Sequence, residues 1–329
     1  MSIISTEKIT KQFTKIQYGW PSFWSLKKET KTAIEDLSVE IDEGELVGFL
    51  GPNGAGKTTF LKILSGIMHP TSGKAKILGF IPWERNYDFL RQIAIVMGQK
   101  NQLWWDLPAI DSFNMLKEVY EISEKNYRKN LDKMVEVLNM KELLNKRLRN
   151  MSLGERMKCE LAASFLHDPK IIFLDEPTIG LDIISAKSIR DFLKNINRTE
   201  KCTLILTSHY MGDIEELCKR VIIINHGKKI YDGALEELRN KYAPEKEIIV
   251  FLNNLEDKKK FAHLKFAKKI VENRGIVKVD KKDLGATVRE IFDNFEMENI
   301  SISDIDTEEV GVRLENGNGH IAETALGKL

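Results

Sequence analysis

The chain is predicted to fold as an α/β protein on a mostly parallel β-sheet, with a small α+β unit following it. Three observations carry this prediction. Short apolar runs at 46–50, 93–97, 171–174, 203–206 and 221–224 alternate with segments of helical period, as in βαβ units whose strands are buried on both faces. The first of these runs leads straight into Gly51-Pro52-Asn53-Gly54-Ala55-Gly56-Lys57-Thr58 and then a helical pattern at Phe60, Leu61, Leu64 and Met68. Beyond Pro244 the alternation gives way to strands at 248–252 and 276–279, a helix at 284–295 and a last strand at 300–302.

In order along the chain, residues 3–13 have strand character and 33–41 alternate apolar with polar at period two, so the two suit an antiparallel sheet. Between them, 18–28 is dense in aromatics and ends in lysines. It reads either as an inserted hairpin or short helix packed on its own domain, or as a docking surface for a membrane partner or headgroup layer, where Trp and Lys are favoured. Residues 42–45 form a turn into the buried strand 46–50. The following helix ends near Gly66, and 69–73 turns into a strand at 75–78. A helical stretch at 87–92 precedes the strand 93–97. Residues 111–150 are polar and helix-favouring, with Leu131, Met134, Val135 and Leu138 on one face, and form a helical subdomain. A helix runs from Ser152 to about His167 and stops at Asp168-Pro169. Strand 171–174, helix 186–197, strand 203–206, helix 211–218 and strand 221–224 complete the alternation. The domains expected are 1–243, with the helical subdomain at about 100–168 and the aromatic insertion at about 14–31, then 244–315, then a loosely ordered tail at 316–329.

Composition narrows the classes. A hydrophobic content of 42% with 30% charged residues is that of a globular chain, and a net charge of +1 provides no overall field for nucleic acid or an anionic membrane. Cys159, Cys202 and Cys218 are odd in number and lie within periodic segments, which suits buried thiols in a reducing cytosol better than a disulfide framework. No paired Cys or His spacing suggests zinc. The N-terminus lacks a signal-peptide layout, and no apolar run approaches the roughly 20 residues that span a bilayer, so the chain by itself is expected to be soluble.

The chemistry concentrates in two places. The loop 51–58 reads as a phosphate-binding P-loop: its glycines let backbone N–H groups curl around phosphate oxygens, the helix start adds positive charge, Lys57 reaches the terminal phosphates, and the Thr58 hydroxyl faces Mg²⁺. The run Ile171-Ile172-Phe173-Leu174-Asp175-Glu176 then brings two acids to the ligand edge of the sheet. Asp175 is placed to hold Mg²⁺, and Glu176 to act as general base or water-positioning group for in-line attack.

From about residue 6 to 233 the sequence resembles the ATP-binding subunits of ABC transporters. The motifs that carry the resemblance occur in the family's order: the loop 51–58, Gln99, Met151-Ser152-Leu153-Gly154-Glu155-Arg156, Asp175-Glu176, Gly180-Leu181-Asp182 and His209. The resemblance implies a P-loop NTPase fold, with a RecA-like core sheet, an antiparallel β subdomain and a helical subdomain. It implies nucleotide contacts from Gly51, Pro52, Asn53, Gly54, Ala55, Gly56, Lys57, Thr58 and Thr59, and catalytic roles for Glu176, His209, Gln99 and Lys57. Magnesium would be served by Thr58, Gln99 and Asp175. Ser152, Gly154, Glu155 and Asp182 would complete the ATP site of a second ATP-binding subunit. Leu153 and Glu155 depart from the family's Leu-Ser-Gly-Gly-Gln, and Glu155 is placed either to accept from ribose hydroxyls or to complete a helix cap with Ser152. Phe13 occupies the adenine-stacking position, with Tyr18 as its rival.

The aromatic insertion, Pro82-Trp83 and Leu103-Trp104-Trp105-Asp106 further resemble a bacterial and archaeal subgroup that pairs with permeases of the second ABC exporter class. The function implied is an ATPase, using ATP and Mg²⁺, held at the cytoplasmic face of the membrane by permease subunits and coupling hydrolysis to export. Trp104 and Trp105 lie where this family seats the permease's coupling helix, either as interface anchors or as caps on the helical subdomain's own core. The alternative is a soluble ABC-type ATPase in DNA maintenance or translation. Against it stand the short interval between Gln99 and Ser152, the single cassette and the near-zero charge, which disfavours nucleic acid.

Overall fold

Parallel pairing of strands drawn from across the sequence organises the larger unit. The computed structural model describes residues 2–18, 26–98, 100–208, 211–242, 245–252, 255–264, 266–295 and 300–304. The chain divides into two compact units, Met1–Gly233 and Ala234–Leu329.

In the first unit, β1 (Ser2–Tyr18) and β2 (Leu26–Asp42) form an antiparallel pair, with β4 (Ser72–Ile77) on the other side of β1. Both strands run further than the alternation at 3–13 and 33–41 suggested, into the segment read as an insertion; its central aromatics, residues 19–25, lie outside the described residues. The main sheet has the order β5-β6-β7-β3-β8-β9, with β3 (Leu46–Leu50), β5 (Ile93–Met97), β6 (Ile171–Asp175), β7 (Thr203–Ser208), β8 (Arg220–Asn225) and β9 (Lys228–Ala234). β5, β6, β7, β3 and β8 pair in parallel, so their carboxyl ends and the loops that follow gather along one edge.

Helices cover the sheet where apolar periodicity demands it. α1 (Lys57–Leu64) buries Phe60, Leu61, Ile63 and Leu64, and Phe60 meets Phe49 of β3 with ring centroids 5.5 Å apart. The same core takes in Ile4, Ile9, Ile34 and Leu37, which fuses the antiparallel sheet to the main one. After the short α2 (Tyr87–Leu90), the helical subdomain comprises α3 (Ala109–Val119), α4 (Glu124–Val137), two 3-10 turns and α5 (Leu153–Phe165). α6 (Ile183–Glu200) and α7 (Met211–Leu217) flank β7, and Phe192 of α6 meets Phe165 of α5 edge-on at 5.3 Å. The three cysteines are free and buried, and burial pushes the Cys159 and Cys202 thiols up to about 12. Among the described residues no helix is long and apolar enough to cross a membrane.

The second unit begins with α8 (Leu235–Tyr242) and continues as β10 (Glu245–Phe251), α9 (Leu255–Ala262), β11 (Ala267–Val271), β12 (Arg274–Asp280), α10 (Leu284–Asn294) and β13 (Ile300–Asp304). Its sheet order, β11-β12-β10-β13 with antiparallel pairs, is that of a split β-α-β-β-α-β unit. Gly275 lets the Phe261 ring lie directly on β12, since a Cβ there would come within 2.5 Å of the ring. The tail 316–329 lies outside the described residues.

One buried acid in the core gives the fold a pH signature. Glu160 of α5 is 4% exposed, and burial raises its carboxyl from the ordinary 4.5 to about 7 against the pull of two backbone N–H donors and Arg156. With the folded value above the unfolded one, ionisation disfavours the fold. The stability associated with the neutral acid is complete below about 4.5 and lost as pH rises through about 7. Denaturation midpoints of E160Q and the parent, taken from pH 4.5 to 8, are therefore expected to diverge in favour of E160Q across that window. A pH-independent difference would contradict the assignment.

Candidate functional site

The loop after β3 is shaped by positions that only glycine fills. Gly54 and Gly56 have φ of 82° and 110°, and a Cβ on Gly56 would lie 2.4 Å from the Ala33 carbonyl oxygen. Lys57 opens α1 with its side chain folded back into the loop, where Nζ donates to Gly51 O at 2.5 Å and Pro52 O at 3.1 Å. Burial lowers the Lys57 pKa, and the negative charges of Glu176 and Asp175 oppose that shift. Ala55 and Gly56 are buried, whereas Asn53, Gly54 and Thr58 are exposed at the mouth and Thr59 is half-buried behind them.

Strand register brings the next groups to this mouth. Asp175 ends β6 level with Thr207 of β7 and Met97 of β5. Its Oδ1 accepts the Thr58 hydroxyl at 3.0 Å and the Thr207 hydroxyl at 2.6 Å. Thr207 in turn receives the Glu176 N–H on its carbonyl at 3.1 Å and on its Oγ1 at 3.2 Å. Glu176 is held at φ 53°, a left-handed conformation that costs a non-glycine residue on the order of 1–3 kcal/mol. Gly98 donates to Asp175 O at 2.8 Å, and a Cβ on it would lie 2.0 Å from Glu176 O. The mouth thus offers a buried ammonium, backbone N–H groups and a helix start for an anion. Beside them are two adjoining oxygen donors, Thr58 and Asp175, whose hard character fits magnesium.

Ser152, Gly154, Glu155 and Asp182 form a second cluster. Ser152 caps α5: the Glu155 N–H donates to its Oγ at 3.2 Å, and the Ser152 N–H returns to Glu155 Oε2 at 2.8 Å. Lys146 Nζ donates to the same Oε2 at 2.8 Å and is the main reason the Glu155 carboxyl titrates below its usual range. Of the two placements open to Glu155, the structure contains the cap. Asp182 caps α6 through Ser185. Gly154 packs against that cap so closely that a Cβ would come 2.4 Å from Ser185 Oγ, and Leu153 contacts the Gly180 position. Ile183 and Ile184, 85% and 82% exposed, follow directly.

Phe13 is 44% exposed with Lys11 Nζ 5.3 Å over its ring. Gln99, His209 and the Tyr18 side chain lie outside the described residues. Periodicity and motif matching overlooked Thr207, Gly98 and Asp213. Asp213 is 3% exposed on α7 and gathers Arg190 of α6 at 2.8 Å together with the hydroxyls of Thr178 and Ser208, fixing the ends of β6 and β7 to two helices. The signal for Thr207 was its place at the end of a strand paired with β6, which only the strand order reveals.

A groove of about 290 Å³ lies apart from this edge, lined by Ile67, Tyr87, Arg91, Leu116, Val119 and Gln102 among others. At its wall the rings of Tyr120 and His167 stack 3.9 Å apart. Trp104 and Trp105, just after Gln102, are 39% and 44% exposed.

A family model described as ABC transporter matches residues 34–179. The ABC transporter ATP-binding protein NatA of Bacillus subtilis (strain 168) is 33% identical over 229 residues, which cover 70% of this chain and 93% of that protein. ABC transporter A family member 8 of Dictyostelium discoideum is 35% identical over 68% of this chain, which spans 26% of that much longer protein. Among solved structures, the dimeric ATP-binding cassette MJ0796 in a post-hydrolysis state bound to ADP and Pi superposes with a TM-score of 0.60, 23% identity and coverage of 70% of this chain and 98% of its own. The cbiO1 chain from Clostridium perfringens, part of the complex cbiONQ, gives 0.61 at 23% identity, covering 72% and 90%. At such identity these two likenesses are of fold.

The buried Asp213 cluster makes a direct stability prediction. Truncation in D213A removes the buried acceptor shared by Arg190, Thr178 and Ser208 and leaves Arg190 its partly exposed partner Glu216, so it is expected to cost about 1–3 kcal/mol in urea unfolding, with part of the loss recovered in D213A combined with R190M. A cost below about 1 kcal/mol would mean that the cluster does not hold the edge together.

Proposed function

Because the chain belongs to the ABC transporter family of ATP-binding proteins and carries that family's ATPase cassette, we propose that it is the ATP-hydrolysing subunit of an exporter. It binds Mg-ATP at two composite sites formed with a second ATP-binding subunit, and works at the cytoplasmic face of the membrane through separately encoded permeases. Lys57 and the amides of residues 51–59 hold the phosphates. Thr58 and Asp175, together with Gln99, are the groups that would hold magnesium, which when bound neutralises charge on the β- and γ-phosphates. Glu176 accepts a proton from the attacking water as it lines up with the γ-phosphate, and His209 steadies that phosphate. Ser152 and Gly154, at the positive end of α5, complete the site of the neighbouring subunit, with Asp182 beside them. Phe13 stacks on adenine.

The observation that carries this reading is the meeting of the Thr58 and Thr207 hydroxyls on Asp175, with Glu176 fixed next to it by two bonds from its own N–H. That geometry orients an acid at the mouth of the phosphate loop. The exposed pair Ile183 and Ile184 beside Asp182 supports a covered face in a dimer. The groove between α3, α5 and β5 supports a seat for a permease's cytoplasmic helix, with Trp104 and Trp105 near by as exposed aromatic anchors.

The test is E176Q. ATP turnover is expected to fall by roughly 10²–10⁴-fold, the range for loss of a general base, while ATP binding persists and the chain elutes as a dimer only with Mg-ATP. The unmodified chain is expected to co-purify from solubilised membranes with a multi-span protein. Unchanged turnover in E176Q would remove Glu176 from the mechanism, and co-purification with ribosomes or DNA instead would remove the transporter reading.

A further inference from the structure

Helix α5 carries a buried carboxylate that neither the phosphate-loop cluster nor the Ser152 cap uses. Glu160 Oε1 accepts two backbone N–H groups, from Gln102 at 2.9 Å and from Leu103 at 3.2 Å. Both belong to the segment that continues from Gln99. A carboxyl group buried to this degree is costly, and one turned on consecutive amides holds a stretch of backbone in register with the helix in a way that an apolar side chain cannot. One turn earlier on α5, the Arg156 guanidinium lies 5.0 Å from the Trp105 ring centroid, and the Arg149 N–H donates to Trp105 O at 3.0 Å. The segment 102–105 is thereby fastened at several points to α5 and the turn that precedes it.

The same helix joins two distant places. It starts at the Ser152 cap and reaches the groove at Ala163 and Ser164, about 18 Å further on at 1.5 Å per residue. Gln102 lines the groove as well. We propose that Glu160 is a positioning residue that makes the segment behind Gln99 and helix α5 one mechanical unit, so that filling the groove and shifting the Ser152 end are a single movement. This rests on Ser152 belonging to a composite ATP site. The function lies in the acceptor oxygen rather than in the charge: burial brings the carboxyl to about 7, and both the acid and the carboxylate offer Oε1 to the two amides.

Amide exchange of the full-length chain in the E176Q background, with and without Mg-ATP, tests this for Glu160, E160Q and E160L. The Gln102 and Leu103 amides are expected to stay protected in the first two and to exchange about 10- to 100-fold faster in E160L, as for buried amides that lose their acceptor. Mg-ATP should change exchange at these amides when residue 160 is Glu or Gln and leave it unchanged in E160L. Should E160L fail to fold, E160D, whose shorter side chain falls away from both amides, is expected to lose the same protection and the same ATP response. Undiminished protection in the variants that lack the acceptor, or an ATP response that survives in them, overturns the proposal. Absence of an ATP-bound dimer with Glu at 160 would count against the composite site instead, and the amide protection alone would then decide whether Glu160 holds the segment.

Discussion

The ligand edge of this protein depends on one carboxylate oxygen. Asp175 Oδ1 receives hydroxyls from two directions, Thr58 at the start of α1 and Thr207 at the end of β7. Because β6 lies between β5 and β7, and β3 pairs with β7 on its other side, that oxygen ties together loops that are far apart in sequence. Displacing it would loosen the phosphate-loop helix from the strand that ends in Glu176. The left-handed backbone at Glu176 and the closeness of Gly98 to its carbonyl follow from the same crowding: strand ends packed this tightly leave no room for a Cβ at residue 98. The strain is local, and the two bonds from the Glu176 N–H to Thr207 offset it.

A second constraint runs through α5. Its cap is complete in itself, with Glu155 engaged by the Ser152 N–H and by Lys146. That accounts physically for an acid where the family has glutamine: the negative charge is bonded back into its own helix start and neutralised by a lysine of the same chain. Gly154 is fixed by packing on the α6 cap, so the two motifs around Ser152 and Asp182 keep a constant spacing. Further along, Glu160 and Arg156 take hold of the segment after Gln99. One helix therefore carries the capped Ser152 terminus, a buried fastening point and a wall of the groove.

Much of this was legible in the sequence because it is written locally. The parallel strands appear as apolar runs, the phosphate loop as glycines between a strand and a helix, and the α5 cap as Ser152-x-x-Glu155. What stayed hidden depends on neighbours that only the fold supplies. Thr207 matters through its register with Asp175, Asp213 through Arg190 on another helix, and Glu160 through two amides some 60 residues away. α9 and β11 escaped notice because their lysine-rich sequences, Leu255–Ala262 and Ala267–Val271, carry little apolar periodicity. β1 and β2 outrun the alternation that marked them, since their outer parts pair with each other and the side chains described there, residues 14–15 and 29–32, are exposed.

In the proposed function the loop 51–58 of one chain and the Ser152 end of α5 of another form one chemical site. Inter-subunit complementation tests it most directly. K57A and S152A chains, each nearly inactive alone, are mixed and their ATP turnover is measured. A composite site predicts recovery, because the mixed pair holds one site with Lys57 from one chain and Ser152 from the other. Turnover of the mixture no greater than the average of the two separate variants would contradict it.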